Sequence, residues 1–153
     1  MKYLVWCIAL AVAVVALPAS AQVSDKTALT YEVLMEEYDG LVKEAMALTE
    51  DEWAAFEPVF ADYKAAMGPV HKREVNLILS FIKGHKTMDD AAAEAMMDSL
   101  RGIQKDEWQV MKEYQKEFQK VLPASKVLRF FQIDNRLNMV MMNKVTKDIP
   151  LAG

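Results

Sequence analysis

From Trp53 to Ile82 large apolar side chains recur at steps of three and four, and no other feature of the chain restricts its fold so strongly. Trp53, Phe56, Phe60, Tyr63, Met67 and Val70 share one face of a helix, and Leu77, Ile78, Phe81 and Ile82 continue the stripe. Thr49 opens this segment with Glu52 three residues later, the spacing at which the two side chains each satisfy a backbone N–H at a helix start. Leu48 stands where it can staple onto Trp53. Helical from Glu50 to Lys83, the segment would be about 50 Å long, and a rod of that length needs a partner along it.

Pro58 is expected to kink the rod, and Gly68-Pro69 to bend or break it. A turn follows at Lys83-Gly84-His85-Lys86, with Gly84 suited to a left-handed helix terminus and Thr87-Met88-Asp89-Asp90 supplying the next N-cap. A third helix, Met88 to Lys120, carries Met96, Leu100, Ile103, Val110, Met111, Tyr114 and Phe118 at the same steps. Leu122-Pro123 ends it, and Pro123 suits the first turn of a fourth helix reaching Thr146, marked by Val127, Phe130, Phe131, Asp134, Leu137, Val140 and Met141. Upstream, Ala28 to Ala47 shows a weaker stripe, and Tyr38-Asp39-Gly40 is either part of that helix or a break in it. Two helices of about 33 residues joined by four must pack antiparallel. The fold class is therefore all-α: a long antiparallel hairpin with shorter flanking helices that fold over its apolar face or meet a second copy.

The N-terminus bounds the setting. Lys2, the apolar run Leu4 to Leu17 and Ala19-Ser20-Ala21 have the form of a secretory signal peptide over residues 1–21, and the run is shorter than the roughly 20 residues that cross a bilayer. Cleavage after Ala21 would leave residues 22–153 as a single domain without a membrane anchor, and without cysteine, because Cys7 leaves with the leader. Thiol nucleophiles, thiolate metal sites and covalently attached haem are then excluded. The formal charge of −4 becomes about −5 once Lys2 is removed, and no cluster of bases is interleaved with aromatics, which argues against a nucleic-acid partner.

Leu48-Thr49-Glu50-Asp51-Glu52, followed by Trp53 and Phe56, together with Val121-Leu122-Pro123-Ala124-Ser125-Lys126, resemble the paired LTxxQ elements of the Spy and CpxP group of periplasmic proteins. Glu52 stands where the first Gln would be, and Pro123 and Lys126 replace the second Thr and Gln. The resemblance spans Leu48 to Leu151. It implies a thin, curved helical homodimer in the periplasm that shields unfolded or envelope proteins without ATP, or that damps a stress-sensor domain. Basic charge on the concave face, which such cradles use, is not matched by the scattered bases here.

Trp53, Phe56, Phe60, Met67 and, on the third helix, Met96 are the candidate client contacts, although such a stripe more often forms just the core of a hairpin. The methionines, with Met96-Met97 and Met139, Met141 and Met142 close together, suit an adaptable binding surface, core gap-filling or copper(I). The metal-binding relatives ZraP and CnrX raise an alternative, a metal-buffering or sensing protein, for which His71, Glu74 and His85 are the weak candidate ligands; neither His has a His or Cys at the i+4 spacing. No cofactor is expected. Nucleophile elbows, phosphate loops and His-Glu-x-x-His are absent, and carboxylates sit among lysines as in Glu113, Lys116, Glu117 and Lys120, so no enzyme is expected. A purely structural interaction module remains the third reading.

Overall fold

The computed structural model describes residues 19–151, with side chains from Val33 onward. Four helices, α1 (Ala19–Met46), α2 (Glu50–Gly84), α3 (Asp90–Val121) and α4 (Ala124–Thr146), and one turn of 3-10 helix at His85–Thr87 make up the described chain, which contains no strand. Residues 1–18, which carry the apolar run of the expected leader, lie outside the described residues. Among those described, no helix is long and apolar enough to cross a membrane.

The all-α hairpin is present, and its ends are set by local chemistry. Ala47, at φ 48°, takes the left-handed conformation that terminates α1. Thr49 then accepts from the Glu52 N–H at 3.3 Å while the Glu52 carboxylate accepts from the Thr49 N–H at 3.0 Å, the expected capping box. At the other end of α2 the expectation is corrected: Gly84 stays right-handed at φ −105° and the chain tightens into the 3-10 turn. Within the expected stretch Thr87-Met88-Asp89-Asp90, Asp89 caps α3 by accepting from the Ala92 N–H at 2.8 Å. Pro123 sits just before α4 as its N-cap residue.

The possible break at Gly68-Pro69 does not occur. α2 runs unbroken through Pro58 and Gly68-Pro69, because both prolines lie on the exposed face while Phe56, Phe60, Met67 and Val70 are buried around them. On the solvent side, a lost helical hydrogen bond leaves its carbonyl open to water. α1 likewise continues through Tyr38-Asp39-Gly40, with Tyr38 and Val42 both buried; their burial outweighs the roughly 1 kcal/mol that Gly40 costs. It also begins at Ala19 rather than Ala28.

Short links make each helix antiparallel to the next. Arg129 on α4 donates from Nε and Nη2 to the Ala45 carbonyl at 3.0 and 2.7 Å, closing the C-terminus of α1. Lys126 pairs with Glu52, joining the starts of α4 and α2, so the two elements that resemble a repeated motif meet each other. Arg73 and Asp106 pair at 2.6 Å across the hairpin. The end holding these starts is called proximal below, and the His85–Thr87 turn distal. In the proximal half α1 and α4 fold over the α2/α3 stripe and enclose an aromatic core: Phe118 packs at 5.1 Å from Phe56 and 4.7 Å from Phe130, and Phe130 lies 5.4 Å from Tyr63, ring centre to ring centre. α4 has 23 residues against 35 in α2, about 34 Å against 52 Å, so the distal part of the hairpin extends past it.

Candidate functional site

Of the five expected contact residues, four are spent on the chain's own packing. Trp53, Phe56, Phe60 and Met67 are all buried, Phe56 completely, because α1 and α4 cover the stripe they form. Lys43 and Lys64 lie over the Trp53 and Phe60 rings, each 4.9 Å from the ring centre, closing that face with cations over aromatic rings. The Trp53 Nε1–H has no acceptor among the described residues. Met96 alone of the five is not buried, and it lines a groove.

The groove, of about 600 Å³, lies at the distal end, where α2 and α3 outrun α4. Leu77, Ile78 and Phe81 of α2 form one wall, and Ala93, Met96, Met97 and Leu100 of α3 the other, with Met88 toward the tip. Thr146, Ile149, Pro150 and Leu151, at and beyond the end of α4, form the base. Met97 is 52% exposed and Leu100 42%. Among the described residues of this lining the one polar side chain is Thr146, whose hydroxyl donates to the Met142 carbonyl at 2.7 Å. Among the described residues the lining is thus almost wholly apolar and selects chiefly for apolar bulk and shape. Its volume lies within the roughly 300–1,000 Å³ of ligand-sized cavities.

A second feature lies in the proximal core. Asp134 of α4 is only 4% exposed, and its carboxylate accepts from the Tyr63 hydroxyl at 2.8 Å and from the Tyr38 hydroxyl by a short contact. Burial, followed by the adjoining carboxylate, pushes both phenols far above the ordinary tyrosine range. The half-buried His71 is held below the usual histidine range by desolvation, against the opposing pull of Asp134. Glu74 and Glu107 are both raised by burial, then by repulsion, Glu74 from Glu107 and Glu107 from Asp134.

The weak metal set is not assembled. His85 sits at the distal turn, its Nδ1 2.9 Å from the Ile82 carbonyl and its ring against Phe81, and no group of three or more His, Cys, Asp or Glu side chains that could hold a metal occurs among the described residues. Met139 and Met141 point apart, one 61% exposed and the other buried.

In the sequence Asp134 falls on the apolar stripe of α4, and Tyr38 and Tyr63, at inward positions of their own helices, supply its donors. The groove was signalled by Leu77, Ile78 and Phe81 carrying the stripe beyond the reach of a shorter α4. Compared with known proteins, the chain matches no family model, no curated protein and no solved structure.

Proposed function

We propose that the chain is an exported helical binding protein that acts in the periplasm, holding apolar segments of unfolded or envelope proteins in its distal groove without nucleotide. The observation that carries this reading is the uncovered groove of about 600 Å³, lined by three methionines, aliphatic side chains and Phe81. Such a lining accepts many shapes, because methionine adapts its conformation at little cost. Each large apolar side chain it buries contributes about 1.5–3 kcal/mol, so a segment placing three there gains roughly 5–9 kcal/mol before ordering costs, which gives weak, reversible association. The LTxxQ-like elements, the leader-like N-terminus and the absence of cysteine after it agree with this setting. A sensor domain presenting an apolar helix is the variant of the same reading.

The test is suppression of aggregation of a chemically denatured model protein by residues 22–153. The wild type is expected to suppress it, Met97→Asp and Leu100→Asp to lose most of that effect, and Trp108→Asp, at an exposed α3 position outside the groove lining, to retain it. Equal activity in all four, or none in the wild type at several-fold excess, would overturn the reading. Sedimentation of the same variants distinguishes a second copy as occupant: a homodimer that dissociates in Leu100→Asp would assign the groove to self-association.

A further inference from the structure

Three thioethers and an imidazole from three different helices line one cavity of about 240 Å³ in the proximal half, away from the groove. Met35 comes from α1, Met67 and His71 from α2, and Met141 from α4. Their convergence follows from helical spacing. Met67 and His71 are one turn apart on a single face, Met35 lies one turn before the buried Tyr38, and Met141 lies two turns beyond the buried Asp134. Core packing accounts for the burial of Met67 and Met141, at 3% and 5% exposed. It does not account for a space left among side chains flexible enough to fill it, nor for an imidazole facing that space.

We propose that Met35, Met67, Met141 and His71 form a binding site for a soft monovalent metal ion, copper(I), with Asp134 as its neighbouring counter-charge. Thioethers are soft, uncharged donors that discriminate against hard cations, and imidazole is compatible with copper. A donor set with no charge of its own takes up one positive charge, and the buried carboxylate beside His71 balances it. A divalent ion would leave an excess buried charge, which is costly. Lys64 and Lys72 also border the cavity; the Lys64 ammonium is engaged by Asp39, and Lys72 is exposed to solvent.

The experiment titrates residues 22–153 with copper(I), supplied anaerobically as its acetonitrile complex, against a chromophoric copper(I) chelator. Silver(I) serves as the redox-inert probe while the methionine methyl resonances are followed. The proposal requires one ion per chain, with shifts confined to the Met35, Met67 and Met141 methyls and the His71 ring. Met67→Leu and Met141→Leu, which conserve core volume, and His71→Gln are each expected to weaken binding at least about tenfold. Circular dichroism of each variant confirms that the helices are intact. No metal retained against the chelator, binding undiminished in the Leu variants, or shifts at Met139, Met142, Met96 and Met97 instead would each overturn it. Because these residues lie outside the distal groove, the site can fail while client binding survives, and the reverse.

Discussion

Replacing Asp134 with Leu should cost the protein more than any single hydrogen bond is worth. The substitution preserves approximate volume but strands two phenol hydroxyls, Tyr38 and Tyr63, both buried and both donating to that carboxylate. Each buried donor left without a partner costs about 1–3 kcal/mol, so the expected loss is about 2–6 kcal/mol from a total of about 5–15 kcal/mol. With a urea dependence of about 2 kcal/mol per molar, the unfolding midpoint should fall by about 1–3 M at unchanged slope. The triple variant Tyr38→Phe/Asp134→Leu/Tyr63→Phe removes donors and acceptor together and should recover most of the loss, since an apolar replacement of the whole cluster strands nothing. Far-ultraviolet circular dichroism under urea measures all three proteins. A midpoint for Asp134→Leu near wild type, or a triple variant no more stable than the single, would refute the reasoning. The alkaline limb gives a second readout. Folded phenol pKa values raised above 10.0 mean that the folded state holds those protons more tightly, so this contribution is complete below about pH 10 and is lost as pH rises beyond it. Tyrosinate absorbance should show Tyr38 and Tyr63 titrating only as the chain unfolds.

Glu107→Gln should raise the melting temperature at neutral pH, because a carboxyl whose folded pKa is raised destabilises the fold when ionised; the gain should shrink as pH falls and vanish below about 4.5, where wild-type Glu107 is protonated in both states. Thermal melts of both proteins across that range check the sign. Ala47→Gly should leave stability unchanged or raise it by up to about 1 kcal/mol, since relief of the left-handed strain at φ 48° offsets the extra freedom of glycine in the unfolded chain; urea midpoints decide. Thr49→Ala, which removes the cap of α2, should cost about 0.5–2 kcal/mol in the same assay. Phe118→Ala, at a fully buried position touching Phe56, Phe130 and Tyr63, should cost about 3–5 kcal/mol.

The hairpin was legible because its signals are local: a stripe from Trp53 to Ile82, a Thr-x-x-Glu start, and a Pro123 that can only begin a helix. Where local signals competed with packing, packing decided. Pro58, Gly68-Pro69 and Gly40 all lower helix propensity, yet each lies on an exposed face between buried anchors and breaks nothing. The left-handed turn expected at Gly84 depended on how the chain approaches Asp89, a distance that residue types do not specify. The candidate contacts show the same limit more sharply. Trp53, Phe56, Phe60 and Met67 carry the strongest apolar signal in the sequence, but a period marks a face without saying what covers it. That depended on the relative lengths of α4 and α2, and the uncovered stretch fell at Met96, Met97 and Leu100. The Asp134 cluster and the methionine–histidine cavity each draw on three helices whose contributing residues are far apart in the chain, so neither leaves a short-range motif.

Site-specific photo-crosslinking tests the claim that the distal groove holds client segments most directly. A photoreactive side chain replaces either Leu100 in the groove or Leu128 on the exposed face of α4, and each protein is illuminated with an unfolded client. The account predicts strong client adducts from position 100, competed away by a short apolar peptide, and few from position 128. Equal labelling at both positions, or labelling confined to 128, would contradict it.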